Sequence, residues 1–382
     1  MTIGHKFPAQ ISPGRMVVSV HRDGAEAIDS LADEWRSLCA DAADDQPFYR
    51  PEWIRAHLRA FSPGAKVMLI AVRDDGRLCL VLPLVEEKGI VGGVPVRNLR
   101  APVNAHGGRF DAVCSSGPHG DAAISAAWKF LKELDVWDVL QFSNAPLGSI
   151  AGRLAVLAAA DGFHTARVPE KPSPYVPVPS DPELLNRLPP NSKLRSQLRQ
   201  ARRRLAEQGS LSFRRLETAD PGALQCFYRL EASGWKGKEG SAILCHEPTR
   251  NFYDEMAESA ARFGYFSLYL LELNGQLVAG HYSFTHRGRC YSPKVAYDES
   301  FKQFAPGHVI VAEILQDCAT RGIQEFDITG SDDDWKMKWT SHTRGFDHHF
   351  VFKGAMGNLA HAVRFRLRPA IARQLRRMSM SA

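Results

Sequence analysis

The sequence lacks several features that would assign it to a specialised class of protein. None of its 382 residues belongs to an apolar run long enough to cross a bilayer, and the opening "MTIGHKFPAQISPGRM" has no apolar stretch typical of a secretory signal. Its seven cysteines are scattered without a CxxC pair, which argues against a zinc site or a disulfide framework. These absences favour a cytoplasmic protein with reduced thiols and no bound metal. Peripheral association with the inner membrane is left open.

Acidic residues are missing from two segments, and these segments hold the whole positive excess. Residues 191–204 contain six cations and no acid, and residues 361–382 contain six arginines and no acid. The rest of the chain has 36 basic and 42 acidic residues, although the net charge of the whole is +6. We therefore predict two localised anion contacts, and not the generally basic surface of a DNA-binding protein. The candidate anion-binding residues of the second segment are Arg364, Arg368, Arg373, Arg376 and Arg377.

Two halves of the chain share one order of predicted elements. In each half a helical stretch precedes an apolar hairpin, residues 66–87 and 264–286, with Asp-Gly or Asn-Gly at the turn. In each half a second helix then leads into a short apolar strand, "VWDVLQF" or "IQEFDIT". A segment rich in Pro and Ser, residues 176–193, lies between the halves. The predicted domains are residues 1–180, residues 181–360 and a basic tail helix over residues 361–382.

The order helix, antiparallel hairpin, strand, glycine-led helix, strand resembles the GNAT acyltransferase fold. Two copies with a basic helix at the join are similar to the FemABX family, and within it to the CelD/BcsL-type acetyltransferases of exopolysaccharide biosynthesis. The segments that carry this resemblance are "EASGWKGKEGSAI" (231–243), "YDESFKQFAPGHVI" (297–310) and "FDITGSDDDWKMKWT" (326–340). It implies an α+β fold of tandem GNAT-like domains, with mixed, mostly antiparallel sheets flanked by helices.

The resemblance also implies a site for the acyl donor. In GNAT proteins the backbone at the start of the glycine-led helix holds the pyrophosphate of an acyl-coenzyme A, and helix N-termini suit anions. The matching positions here include Gln303, Pro306, Gly307 and His308. The usual GNAT loop has more glycines and a basic residue, so an aminoacyl-tRNA, as in FemABX relatives, is the alternative donor to acetyl-CoA.

Asp327 and Lys336 are the candidate catalytic residues. Asp327 lies on an otherwise apolar strand, where an acid needs a partner or a purpose. It would orient the acceptor amine or accept its proton, and the alternative is a structural ion pair. Lys336 matches the aromatic-Lys pair of the family and would steady a phosphate or an oxyanion, unless it faces solvent.

Two further features suit substrate binding. Pro293 cannot donate to a strand ladder, so it predicts either a bulge that opens the sheet for a thioester or an edge strand. Trp235 and Lys236 lie between glycines in a polar loop. An exposed indole there would stack on a sugar, whereas the alternative is a Trp that packs on the core.

We therefore expect an N-acyltransferase, most simply an acetyltransferase, that modifies a nucleotide- or lipid-linked sugar for a surface polysaccharide. A second hypothesis is an aminoacyl-tRNA-dependent transferase acting on a peptidoglycan precursor. A third is a non-catalytic GNAT-fold module that senses an anionic ligand such as a cyclic dinucleotide. The Arg-rich tail would contact a cyclic dinucleotide, the phosphates of a lipid-linked substrate or an anionic membrane surface.

Overall fold

The structure, a computed structural model, describes residues 16–22 and 24–368. Its helices and strands are numbered in chain order. The helices are α1 (Ala25–Asp41), α2 (Pro51–Phe61), α3 (Pro118–Glu133), α4 (Ile150–Ala160), α5 (Pro182–Leu185), α6 (Ser192–Ala206), α7 (Pro221–Ser233), α8 (Trp235–Lys238), α9 (Glu247–Arg262), α10 (Pro306–Thr320), α11 (Asp334–Met337) and α12 (Gly354–His361). The strands are β1 (Met16–His21), β2 (Lys66–Asp74), β3 (Arg77–Val91), β4 (Val94–Arg100), β5 (Val113–Cys114), β6 (Val139–Pro146), β7 (His164–Pro169), β8 (Ser173–Pro177), β9 (Leu211–Leu216), β10 (Phe266–Leu273), β11 (Gln276–His286), β12 (Arg289–Tyr297), β13 (Glu325–Asp327), β14 (Thr343–Arg344) and β15 (Phe346–Phe352).

The strands form two mixed, mostly antiparallel sheets flanked by helices, as the predicted fold class requires. The first has the order β1-β2-β3-β4-β6-β15-β7, with β5 paired to β3, and the second has the order β14-β8-β13-β12-β11-β10-β9. Each sheet takes strands from both halves of the sequence. β15 pairs antiparallel with β6 and with β7, whereas β8 pairs with β13. The predicted boundary at residue 180 therefore does not separate the strands of one sheet from those of the other.

The repeated order of elements is present in both halves. Helix α2 precedes the β2–β3 hairpin and α9 precedes the β10–β11 hairpin, while α3 leads to β6 and α10 leads to β13. Asp75 and Gly76 have φ of 47° and 85°, and Asn274 and Gly275 have φ of 52° and 79°. Positive φ at both central residues is the geometry of a tight two-residue hairpin turn. Both predicted hairpins are confirmed.

One hydrophobic core joins the two halves. Trp53 of α2 packs edge-on against Phe252 of α9 and Phe284 of β11, with ring centroids 5.2 and 5.5 Å apart. A second buried cluster lies between α10 and the strands of the second sheet. Since the first core is shared, the halves form one packed body. Within the described residues, no helix is both long and apolar enough to span a membrane.

Candidate active site

β12 separates from its neighbour β13 beside the predicted proline. The parallel pairing of the two strands ends at Tyr291 and Asp327. The register of β12 on β11 shifts between Tyr282 and Phe284, which gives β12 one extra residue near Pro293. The predicted bulge is therefore confirmed. Beyond it, residues 292–297 form an edge of β12 with no strand partner on the β13 side among the described residues, and we call it the open edge.

A cavity of about 360 Å³ lies against the open edge, and the start of α10 forms its other wall. This volume is in the range of small-molecule sites. The residues predicted from the sequence that line it are Trp235, Lys236, Pro306, Gly307 and His308. Gln303, also predicted, is exposed on the preceding turn and does not line the cavity. The structure thus brings the predicted donor and acceptor positions together.

The start of α10 leaves one backbone donor, the Gly307 amide, without a hydrogen-bond partner among the described residues. Ala305, at the N-cap, is in the left-handed region with φ of 46°, and no side chain caps the helix. The amide of His308 bonds to the carbonyl of Ala305, whereas the Gly307 amide belongs to the first turn, where no intrahelical carbonyl is in reach. A Cβ on Gly307 would lie 3.3 Å from a ring carbon of Tyr297. Glycine therefore lets the helix start approach β12 closely.

Trp339 fixes the protonation state of His308. The buried indole, 1% exposed, places Nε1 3.0 Å from His308 Nδ1. Because an indole N–H can only donate, Nδ1 accepts and the ring proton is on Nε2. Burial and the nearby charge of Lys338 lower the pKa of His308. The ring is thus a neutral donor through Nε2 at the helix start. The sequence reasoning missed Trp339, because the aromatic-Lys signal pointed to Lys336 and its neighbour.

A buried glutamate with two lysines forms another part of the wall. Glu231 accepts from Lys236 at 3.0 Å and from the amide of Ile243 at 2.9 Å, and Lys294 lies 3.5 Å away. Burial opposes ionisation, but the two lysines lower the pKa of Glu231 below its ordinary value. Lys236 also donates to the Val295 carbonyl at 2.9 Å. This cluster holds two cations and one anion, and Glu299 is a second acid in the cavity lining. Glu231 was not singled out from the sequence.

His281 of β11 is the second residue that the sequence reasoning missed. It is buried, lines the cavity, and has Nδ1 2.7 Å from the hydroxyl of Ser292. Burial and then the charge of Lys236 lower its pKa to about 3. The imidazole is therefore neutral at ordinary pH. A histidine on an apolar strand gives no periodic signal, so only the tertiary structure reveals its position.

Asp327 lies outside the cavity, in a buried ion pair. Its carboxylate accepts from both terminal nitrogens of Arg109, at 2.9 and 3.1 Å, and from Arg344 at 3.2 Å. The side chains of Asp327 and Arg109 are 1% and 5% exposed. These contacts do not place Asp327 where it could orient an acceptor amine. They correspond to the structural ion pair that the sequence left as the alternative.

Lys336 is also away from the cavity lining. Its ammonium donates to the carbonyls of Thr329 and Ser331, each at 2.9 Å, and lies 3.0 Å from Asp333. The residue is 8% exposed, so it does not face solvent either. Its contacts hold the loop between β13 and α11. Neither of the two roles predicted for Lys336 matches this placement.

The predicted anion-binding arginines of the tail lie in different settings. Arg364 packs its guanidinium over Phe350, 4.6 Å from the ring centroid, and burial lowers its pKa. Arg368 is exposed. Arg373, Arg376 and Arg377 lie outside the described residues. Binding of an anionic surface or a cyclic dinucleotide by this tail stays a prediction.

The part of the chain that contains this cavity matches a known domain. Residues 192–337 match the family model described as "Acetyltransferase (GNAT) domain". This segment of the second half is therefore similar to GNAT domains. A search of curated proteins found no significant match. The domain and the fold support an N-acyltransferase, as the sequence predicted.

Solved structures share this fold over almost the whole chain. FemX has a TM-score of 0.58 at 14% identity and covers 87% of this chain and 98% of its own. L-PGS from Bacillus licheniformis has a TM-score of 0.52 at 10% identity, with 87% and 97% covered. A conserved protein of unknown function from Bacteroides thetaiotaomicron has a TM-score of 0.53 at 10% identity, with 88% and 100% covered. At such identities the likeness shows the fold alone, and the CelD/BcsL-type assignment stays a prediction.

Proposed function

We propose that the protein transfers an acyl group from an acyl-CoA, most simply acetyl-CoA, to an amine on a sugar precursor. One observation carries the proposal: the open edge of β12 and the uncapped start of α10 meet in a single cavity. Acyl transfer needs a donor held in position and hydrogen-bond donors directed at the developing oxyanion. A strand edge beside a helix N-terminus supplies both.

The donor would lie with its phosphates at the start of α10 and its thioester along the open edge. The Gly307 amide and the Nε2–H of His308 are donors for phosphate oxygens. On the open edge, the carbonyls of Ser292 and Val295 already accept from the side chains of Thr329 and Lys236. The backbone amides of the open edge would therefore donate hydrogen bonds to the carbonyl groups of the acyl donor and to the oxyanion.

In the reaction, the amine nitrogen attacks the thioester carbon, the C–N bond forms, and the C–S bond breaks. The sulfur leaves with the bonding electrons and takes up a proton, while the nitrogen loses one. The neutral imidazole of His281, at the cavity wall, is our candidate to orient the amine through a hydrogen bond, and the proton that the nitrogen loses passes to the leaving sulfur. Trp235, 54% exposed beside the cavity, would stack on the sugar that carries the amine.

Titration calorimetry with acetyl-CoA tests the donor site. Gly307→Glu adds bulk and negative charge between the helix start and Tyr297, so we expect binding to weaken by about tenfold or more. Gly307→Ala is the matched control, since its Cβ needs only a small shift of the Tyr297 ring. If the Glu variant folds and still binds acetyl-CoA like the wild type, the cavity does not hold the donor.

A transfer assay separates the alternatives for the donor and the acceptor. The protein would be offered acetyl-CoA with amino sugars, free or nucleotide-linked, and in parallel an aminoacyl-tRNA with a peptidoglycan precursor. Release of CoA thiol with formation of an N-acyl sugar supports the proposal. Transfer from the aminoacyl-tRNA with no acetyl-CoA binding would replace it with the second hypothesis.

A further inference from the structure

A second cavity, of about 460 Å³, runs along α10 between that helix and α6. We call it the α6–α10 groove. Its floor is apolar and is built from α5, the segment after it, α6 and α10. The aliphatic residues that line it are Leu185, Leu188, Leu198, Val309, Ala312 and Leu315. A groove of this size and composition suits a hydrocarbon chain.

Three arginines of α6 form one rim of the groove. Arg195, Arg199 and Arg202 follow each other at spacings of four and three, so they lie on one face of the helix. Arg195 is held by three backbone carbonyls of residues 187–190, at 2.7–2.9 Å, which fix its position without neutralising it. Arg202 pairs with Glu313. Arg199 is exposed and has no ion-pair partner within the described residues, so the rim holds three cations and one acid.

We propose that the α6–α10 groove binds a phosphorylated amphiphile. The phosphate would lie on the arginine rim, since guanidinium groups pair with phosphate oxygens bidentately. The hydrocarbon chain would lie on the aliphatic floor. A free phosphate would leave that floor unused. RNA would need aromatic faces for base stacking, and the aromatic residue of the groove, Trp339, is buried.

The groove and the cavity beside the open edge share a wall. Trp339 lines the groove, His308 lines the cavity, and the two side chains are joined by the 3.0 Å hydrogen bond described above. The side chains of Trp339 and His308 would therefore separate an amphiphile in the groove from the bound acyl donor. It follows that the groove anchors the acceptor, whose sugar is carried on a lipid phosphate. This assignment to the acceptor rests on the proposed function, whereas binding of the amphiphile does not.

The test is calorimetry on the full chain, without acyl donor, with dodecyl phosphate below its micelle-forming concentration. Farnesyl phosphate in a parallel titration distinguishes an isoprenoid from a straight chain. Inorganic phosphate and dodecyl maltoside each lack one half of the ligand. We expect one of the two alkyl phosphates to bind about tenfold or more tightly than either control.

Variants locate the binding. Arg199→Glu should weaken binding of the alkyl phosphate by about tenfold or more. Arg203→Glu is the matched control on the same helix, because Arg203 is exposed, pairs with Glu207 and does not line the groove. It should change the affinity by less than about twofold. Ala312→Phe fills the floor and should weaken binding of the alkyl phosphate, and melting temperatures confirm that each variant folds.

The proposal would be overturned if Arg199→Glu and Arg203→Glu lost the same affinity for the alkyl phosphate. It would also be overturned if the protein bound inorganic phosphate as tightly as the alkyl phosphates. The proposal would also be overturned if the protein bound tRNA but not alkyl phosphate, and if both variants reduced the binding of tRNA. Because no acyl donor is present, a negative result here leaves the acetyl-CoA titration unaffected. The failure of each proposal is thus recognised separately.

Discussion

The variant Asp327→Asn distinguishes a structural role of Asp327 from the catalytic role that was predicted from the sequence. In the folded protein its carboxylate neutralises Arg109, which is 5% exposed and has the rings of Phe48 and Phe346 within 5.2 and 4.9 Å of its guanidinium carbon. The Asn side chain keeps the shape but removes the charge. It also turns an NH₂ group toward one of the arginine donors, so a bidentate pair cannot form.

The expected loss in the free energy of unfolding follows from the burial of Arg109. Breaking a buried ion pair by removing one charge destabilises proteins by about 3–5 kcal/mol, because the remaining charge stays buried without compensation. Arg344 contributes less to this loss of stability, because its side chain is 28% exposed and also pairs with Glu325. We therefore expect urea unfolding to show a loss of about 3–5 kcal/mol in the free energy of unfolding of Asp327→Asn.

Two controls accompany this measurement. Asp161→Asn removes an acid from an ion pair with Lys132 that is more than one-third exposed, and it should destabilise the protein far less than Asp327→Asn does. Arg109→Met combined with Asp327→Leu removes both charges and should cost less than Asp327→Asn alone. The reasoning is refuted if Asp327→Asn unfolds like the wild type while its turnover falls by orders of magnitude.

Two further outcomes are expected. Lys336→Ala should lower the free energy of unfolding by about 2–3 kcal/mol, because the variant loses a buried charged group that donates to two backbone carbonyls. Lys338 is exposed, so Lys338→Ala should change the free energy of unfolding by less than about 0.5 kcal/mol. Equal effects of the two substitutions would show that the contacts of Lys336 do not stabilise the fold. Burial lowers the pKa of His281 from 6.5 to about 3, so the unfolded chain binds a proton that the folded chain does not, and stability falls as the pH drops below 6.5. Between about pH 7.5 and about pH 5.5 the wild type should lose about 1.4 kcal/mol more than His281→Gln in chemical denaturation, and parallel pH curves would contradict the assignment.

Local patterns in the sequence predicted the elements that position the site. The two hairpins follow from dipeptides that accept positive φ, the bulge follows from Pro293, and the helix start follows from Pro306-Gly307. These features depend on neighbouring residues, so they can be read without tertiary information. The assignment of this helix start to the acyl donor came from the family resemblance, and it stays a prediction.

The partners of the buried charges could not be predicted in this way. Arg109 and Asp327 are 218 positions apart, and Trp339 is 31 positions from His308. An acid on an apolar strand signals that a partner is needed, but sequence spacing does not say which residue supplies it. The catalytic roles given to Asp327 and Lys336 came from their place in a family pattern, and the packing of the two halves assigns them other contacts.

The place of β15 has a consequence for how the protein is made. The other strands of the first sheet come from residues before 170, yet within the described part of the chain β6 and β7 are joined only through β15, residues 346–352. During synthesis, β6 is therefore unpaired along one edge, and β7 has no partner in the sheet, until β15 has been translated. Unpaired strand edges template aggregation. The edge of β6 is therefore exposed until residues 346–352 have been made, and a chain stopped before residue 346 should be recovered mainly in aggregates.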